Sequence, residues 1–158
     1  MRNRAMALVV LAFLPAAFLS AAECASAQEA ALPAPDVTFV ISSGFWEQPG
    51  DGTSVPAERG YYKLIALRQP DGTAHIHLQQ IAQTPQGPRV LTSAELEEFS
   101  ELKAFVTDIR PESSSGVTTQ PGLFATIYLK TDPTASEAES WTVLIDDLGD
   151  IRVERATN

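Results

Sequence analysis

The stretch YYKLIALRQPDGTAHIHLQQIA, residues 61–82, decides the fold of this chain. Two runs rich in apolar, aromatic and β-branched residues flank Pro70-Asp71-Gly72, a pattern typical of a β-hairpin. A two-residue turn would require an N–H group at position 70, which proline lacks. We therefore expect a type I turn with Gly72 in the left-handed conformation.

This turn fixes the register of the hairpin and the face on which each side chain lies. The predicted core face holds Tyr62, Leu64, Ala66, Ala74, Ile76 and Leu78. The two histidines of the chain, His75 and His77, lie on the other face. Their predicted cross-strand neighbours are Leu67 and Ile65, respectively.

The histidine pair raises the question of a metal site. Residues i and i+2 of a strand lie about 6.5–7 Å apart on one face, so both imidazoles could reach one ion. Zinc would need one or two further ligands, and the predicted neighbours of His75 and His77 are apolar. We therefore interpret the pair as ordinary residues of a half-exposed sheet face. Metal binding by these two histidines is the alternative, and no motif for another cofactor occurs.

The rest of the chain predicts four further strands. Alternating apolar residues indicate strands at 36–42 and 123–131, and a last hairpin at 140–154. The Gly- and Pro-rich segment 47–60 and the segment 83–89 are predicted to be loops.

A helix is predicted over TSAELEEFSELKAFVTDIRP, residues 92–111. Thr92 and Glu95 have the spacing of a capping box, and Pro111 would end the helix. The apolar residues recur at helical spacing: Leu96, Phe99, Leu102, Val106 and Ile109. The order β-β-β-α-β-β-β predicts an α+β fold, a mainly antiparallel sheet of about six strands with the helix on one face. A small barrel-like closure is the competing architecture.

The N-terminal residues 1–27 resemble a cleaved signal peptide. Arg2 and Arg4 precede a long uncharged apolar stretch, and Ala-Ser-Ala at 25–27 predicts cleavage after Ala27. The single cysteine, Cys24, would leave with this segment. We expect residues 28–35 to be a flexible lead-in and residues 36–158 to form one globular domain.

Export would leave an acidic protein of 131 residues without cysteine. Nine basic and 19 acidic residues remain, a formal net charge of −10, which disfavours binding to nucleic acid and to anionic membrane surfaces. An exported domain without disulfides favours a bacterial source, with the periplasm as its location and secretion to the medium as the alternative. No membrane span is expected after cleavage.

Four aromatic residues flank the loop at 47–60: Phe45, Trp46, Tyr61 and Tyr62. Strand alternation sends one of the two tyrosines into the core and the other outward. Outward rings beside a loop are suited to contact a partner, whereas buried rings would cap the end of the core.

No nucleophile elbow, phosphate-binding loop or dinucleotide fingerprint is present. We therefore expect a non-catalytic binding or accessory module for a protein or a cell-envelope component. The contact would use the aromatic residues around the loop or a sheet edge. A metal-binding protein and a small carboxylate-dependent hydrolase are the alternatives. The sequence does not determine the oligomeric state.

Overall fold

A computed structural model describes residues 33–50, 52, 57–112 and 120–156. The predicted signal peptide and most of the predicted lead-in lie outside these residues. Within the described part of the chain, no helix is long and apolar enough to span a membrane.

The described residues form eight strands and one short helix. The strands are β1 Val37–Gln48, β2 Glu58–Arg68, β3 Ala74–Thr84, β4 Gly87–Glu95, β5 Phe105–Pro111, β6 Leu123–Lys130, β7 Glu139–Ile145 and β8 Ile151–Arg155, and the helix α1 is Glu97–Glu101.

The strands build two four-stranded antiparallel sheets, each in chain order: β1-β2-β3-β4 and β5-β6-β7-β8. The first and last strands of each sheet are not paired with each other, so neither sheet of the described chain closes into a barrel. The predicted mainly antiparallel architecture is confirmed, but the described residues form eight strands in two sheets rather than about six strands in one sheet. The barrel-like alternative is wrong.

The hairpin of β2 and β3 has the predicted turn and register. Gly72 adopts a φ of 88°, which is the left-handed conformation expected for it. Ile65 pairs with His77, and Leu67 pairs with His75. The inner residues of the hairpin are buried, as the alternation predicts.

The inner faces of both sheets contribute to one hydrophobic core. Its fully buried side chains include Leu64 and Ile76 from the first sheet and Ile127 and Val143 from the second. Helix α1 adds Phe99, which is also fully buried and packs edge-on against Trp141.

The long helix predicted for residues 92–111 is wrong. Residues 92–95 belong to β4, and the helix has only five residues. Leu96 is its N-cap, with no side-chain hydrogen bond, so the predicted capping box does not form. Lys103 lies just after the helix with a φ of 50°, where the chain turns towards β5.

A β-bulge explains why the apolar spacing indicated a longer helix. The register of β5 against β6 shifts between Val106 and Asp108. Val106 pairs with Leu129, and Ile109 pairs with Ile127. Because the bulge inserts one residue, apolar residues three positions apart face the same core, which imitates a helical repeat.

Candidate functional site

A second bulge, in β1, forms a corner between the two sheets. The register of β1 against β2 shifts between Ser43 and Trp46, and Gly44 adopts a φ of 65°. The Phe45 N–H donates to the carbonyl of Gly122 at 3.1 Å, and the Gly122 N–H donates to the Phe45 carbonyl at 2.7 Å. The main chain of Phe45 is therefore bonded to Gly122, the residue before β6, rather than to β2.

Trp46 points inward from this corner and is a core residue. Its side chain is 6% exposed, and its Nε1 donates to the carbonyl of Ile81 at 3.1 Å. Gly60 pairs with Trp46, and a Cβ atom at Gly60 would lie 2.8 Å from that Nε1. The indole thus lies against a position where only glycine leaves room for it.

The two tyrosines divide as alternation predicts. Tyr62 is buried, and burial, followed by the charge of Asp146, raises the pKa of its phenol. Tyr61 is half-buried on the opposite face. Of the four aromatic residues predicted to contact a partner, Trp46 and Tyr62 are therefore buried in the core, while Phe45 and Tyr61 remain half-exposed.

Phe45 and Tyr61 line a surface depression that we call the aromatic groove. Its cavity of about 380 Å³ is lined by Gly44, Phe45, Trp46, Glu47, Arg59, Gly60, Tyr61 and Gln83. A second cavity of about 520 Å³ shares Glu47, Arg59 and Gln83 with it, so these three exposed side chains join the two depressions. Gln83 falls in the segment 83–89 predicted to be a loop, but it lies on β3, which extends to Thr84.

The two histidines lie on the outer face of the first sheet. Beside them lies the carboxylate of Glu95, which the sequence analysis does not predict at this position. Glu95 of β4 pairs with His77, and its Oε1 lies 3.1 Å from His75 Nδ1. The Ser100 hydroxyl donates to the same carboxylate oxygen. The hydroxyl of Ser100 binds Glu95 rather than an imidazole, so this arrangement does not provide a histidine base for a serine nucleophile.

No group of three His, Cys, Asp or Glu side chains suited to hold a metal ion occurs among the described residues. Zinc sites in proteins use three or four protein ligands, so His75 and His77 alone would not suffice. Metal binding by these histidines stays a prediction from the sequence.

We expect the carboxyl group of Glu95 to make the stability of the fold depend on pH. The Ser100 hydrogen bond and, after it, the nearby charges of His75 and His77 lower the pKa of Glu95 from its ordinary value of 4.5. A carboxyl whose pKa is lowered by folding stabilises the fold above its unfolded pKa, and this contribution is lost as the pH falls through the folded pKa. We expect Glu95→Gln to be less stable than the wild type near neutral pH, with a difference that shrinks below about pH 4.5.

Urea unfolding of both proteins across this pH range checks the expectation. Glu97→Gln is the matched control, because Glu97 lies two residues away on α1 and is exposed. A difference between Glu95→Gln and the wild type that stays constant with pH would show that the carboxylate does not act through its charge.

We expect substitution of the two tryptophans to lower the free energy of unfolding by different amounts. Trp46→Phe removes the indole donor and leaves the buried Ile81 carbonyl without it, at a cost of about 1–3 kcal/mol in addition to the lost ring volume. The Trp141 Nε1 is buried and has no hydrogen-bond partner among the described residues, so Trp141→Phe loses ring volume alone. Urea unfolding should show the larger loss for Trp46→Phe. Equal losses would mean that the Trp46 hydrogen bond contributes nothing to stability.

Comparison with known proteins gives no relative: no family model, no curated protein and no solved structure matches the chain. We therefore infer a function from the side chains of the aromatic groove.

Proposed function

We propose that this protein is a non-catalytic binding module that holds a protein or a cell-envelope component in the aromatic groove. The observation that supports it is the half-exposure of Phe45 and Tyr61 on one cavity, beside the charged side chains of Glu47 and Arg59. Large rigid rings lose little conformational entropy on binding and contribute much contact area, which is why they dominate the energetics of interfaces.

Buried contacts behind the groove fix the shape of its wall. Trp46, which forms part of the groove wall, is fixed by its hydrogen bond to Ile81, and Gly60 allows the close approach of the strands. A preorganised surface avoids part of the entropy cost of binding. This rigidity favours a site over an accidental depression.

Two of the four edge strands, β4 and β8, are less suited to contact a partner. The strand β4 contains Pro88 and has a register shift next to Leu91, and the strand β8 has only five residues. Proline, bulges and short length are devices by which proteins prevent a further strand from pairing with an edge. We therefore favour the groove over these two edges as the contact surface.

The proposal includes export to the periplasm, with the medium as the alternative, and it rests here on the signal-like residues 1–27 and the acidic mature chain. A protein in that compartment meets envelope components and other exported proteins.

Photocrosslinking in intact envelopes tests the proposal. A photoreactive amino acid at Gln48, an exposed residue that lines the second cavity beside the groove, should capture a specific partner. The same amino acid at Arg152, an exposed residue of β8, is the matched control. A partner captured at Gln48 and not at Arg152 supports the proposal. The same products at both positions, or none at Gln48, would contradict it.

A further inference from the structure

The main chain that forms the aromatic groove is already hydrogen-bonded. Trp46 pairs with Gly60, and Gly60 pairs with Ala82, so the three strands are joined at this end of the sheet. On the far side of β1, the N–H and carbonyl of Phe45 are bonded to Gly122. The main-chain groups of Phe45 are thus occupied, and we expect a ligand in the groove to be recognised by side chains rather than by an added strand.

The polar side chains of the groove are planar and of mixed donor and acceptor character. Glu47 offers two acceptor oxygens, Gln83 one acceptor and an NH₂ donor, and Arg59 several donors in a fixed plane. Such groups suit neighbouring hydroxyls of one ligand, because each hydroxyl both donates and accepts and two adjacent hydroxyls match the two ends of a planar group.

The charges and rings of the groove narrow the ligand class further. One carboxylate, Glu47, and one guanidinium, Arg59, balance each other on paired residues of β1 and β2, which disfavours a strongly charged ligand. Phe45 and Tyr61 line the same cavity and are half-exposed, and aromatic rings that are only partly covered can pack against C–H groups of a ligand. A ligand with hydroxyls on its rim and C–H groups on its face is a sugar ring.

We infer that the aromatic groove binds a neutral saccharide, with Tyr61 and Phe45 against the ring face and Glu47, Arg59 and Gln83 on the hydroxyls. This inference rests on the proposed function, since it names the chemistry of the ligand that the binding module holds. The cavities of about 380 Å³ and 520 Å³ share their polar residues, so a ligand longer than one sugar unit can extend from one into the other.

The test is titration of the isotope-labelled mature protein with three neutral tetrasaccharides, cellotetraose, maltotetraose and chitotetraose, followed by amide NMR. At least one should shift the amide signals of residues 45–47, 59–61 and 83. Tyr61→Ala and Gln83→Ala should each weaken that binding by about tenfold, as expected when a central contact is lost. Phe124→Ala, which removes a 44% exposed ring from the other sheet, should leave it unchanged.

No shift with any of the three saccharides at about 10 mM, a concentration that reveals even a weak site, would overturn the inference. Equal effects of Tyr61→Ala and Phe124→Ala would overturn it as well. A protein crosslinked at Gln48 without any saccharide response would overturn the saccharide ligand and leave the binding module standing. Failure of both experiments would overturn both proposals.

Discussion

Replacing Gly60 with alanine should lower the free energy of unfolding by about 4 kcal/mol or more, which is in the range of the most damaging single substitutions. The added Cβ would lie 1.7 Å from the Ile81 carbonyl oxygen and 2.8 Å from its carbonyl carbon. Both are main-chain atoms of β3, so the clash cannot be relieved without opening the ladder between β2 and β3. The same methyl would also displace the Trp46 indole from its acceptor.

Urea unfolding of the mature protein measures this loss. Gly149→Ala is the matched control, because Gly149 has a φ of 87° but no atom within 4 Å of its added Cβ. The control should lose about 1 kcal/mol from backbone strain alone. Similar losses for the two variants would show that β2 and β3 do not approach as closely as described.

Replacing Gly44 with alanine should cost about 3 kcal/mol, because strain and steric clash add at one position. Gly44 has a φ of 65°, and its added Cβ would lie 2.2 Å from the carbonyl oxygen of Gly122. That oxygen accepts the hydrogen bond from the Phe45 N–H, so the clash separates the two sheets at their corner.

Hydrogen exchange distinguishes this mechanism from a general loss of stability. Relative to the wild type, Gly44→Ala should accelerate the exchange of the Phe45 and Gly122 amides more than that of the amides in the middle of β6. Uniform acceleration over both sheets would contradict a local opening at the corner. The Gly149→Ala variant again controls for backbone strain.

The first hairpin was predictable because its signals agree. Pro70 excludes a two-residue turn, Gly72 permits the left-handed residue, and the apolar alternation then admits one register. Local turn chemistry and hydrophobic patterning act on the same short segment, so no distant residue was needed to predict which face His75 and His77 occupy.

The segment at 92–111 was not predictable by the same reasoning. A bulge in β5 set Val106 and Ile109 three positions apart on one face, and a short real helix preceded them. Glu95, a member of the predicted capping box, instead lies at the end of β4 beside His75. Periodicity cannot separate a helix from a bulged strand over so few residues, although the β-branched residues at 106, 107 and 109 are a signal for the strand.

The aromatic groove was predictable in part. Alternation alone predicts that Tyr61 and Tyr62 lie on opposite faces, and their burial agrees. The half-exposure of Phe45 and the burial of Trp46 depend on the bulge at Gly44 and on the bridge to the distant Gly122. No local sequence pattern predicts that bridge. The loops predicted at 47–60 and 83–89 include Glu47, Arg59 and Gln83, whereas these residues lie on β1, β2 and β3. The sequence therefore does not predict their place in the groove.

One measurement tests the binding proposal most directly: the yield of the adduct captured from intact envelopes by a photoreactive amino acid at Gln48, which lines the second cavity. It is compared between Tyr61→Ala and Phe124→Ala, which each remove one accessible aromatic ring, from the first and the second sheet respectively. We predict that Tyr61→Ala lowers the yield by about tenfold and that Phe124→Ala leaves it within about twofold of the parent protein. Equal yields from the two variants, with both proteins folded, would contradict the assignment of the aromatic groove as the binding surface.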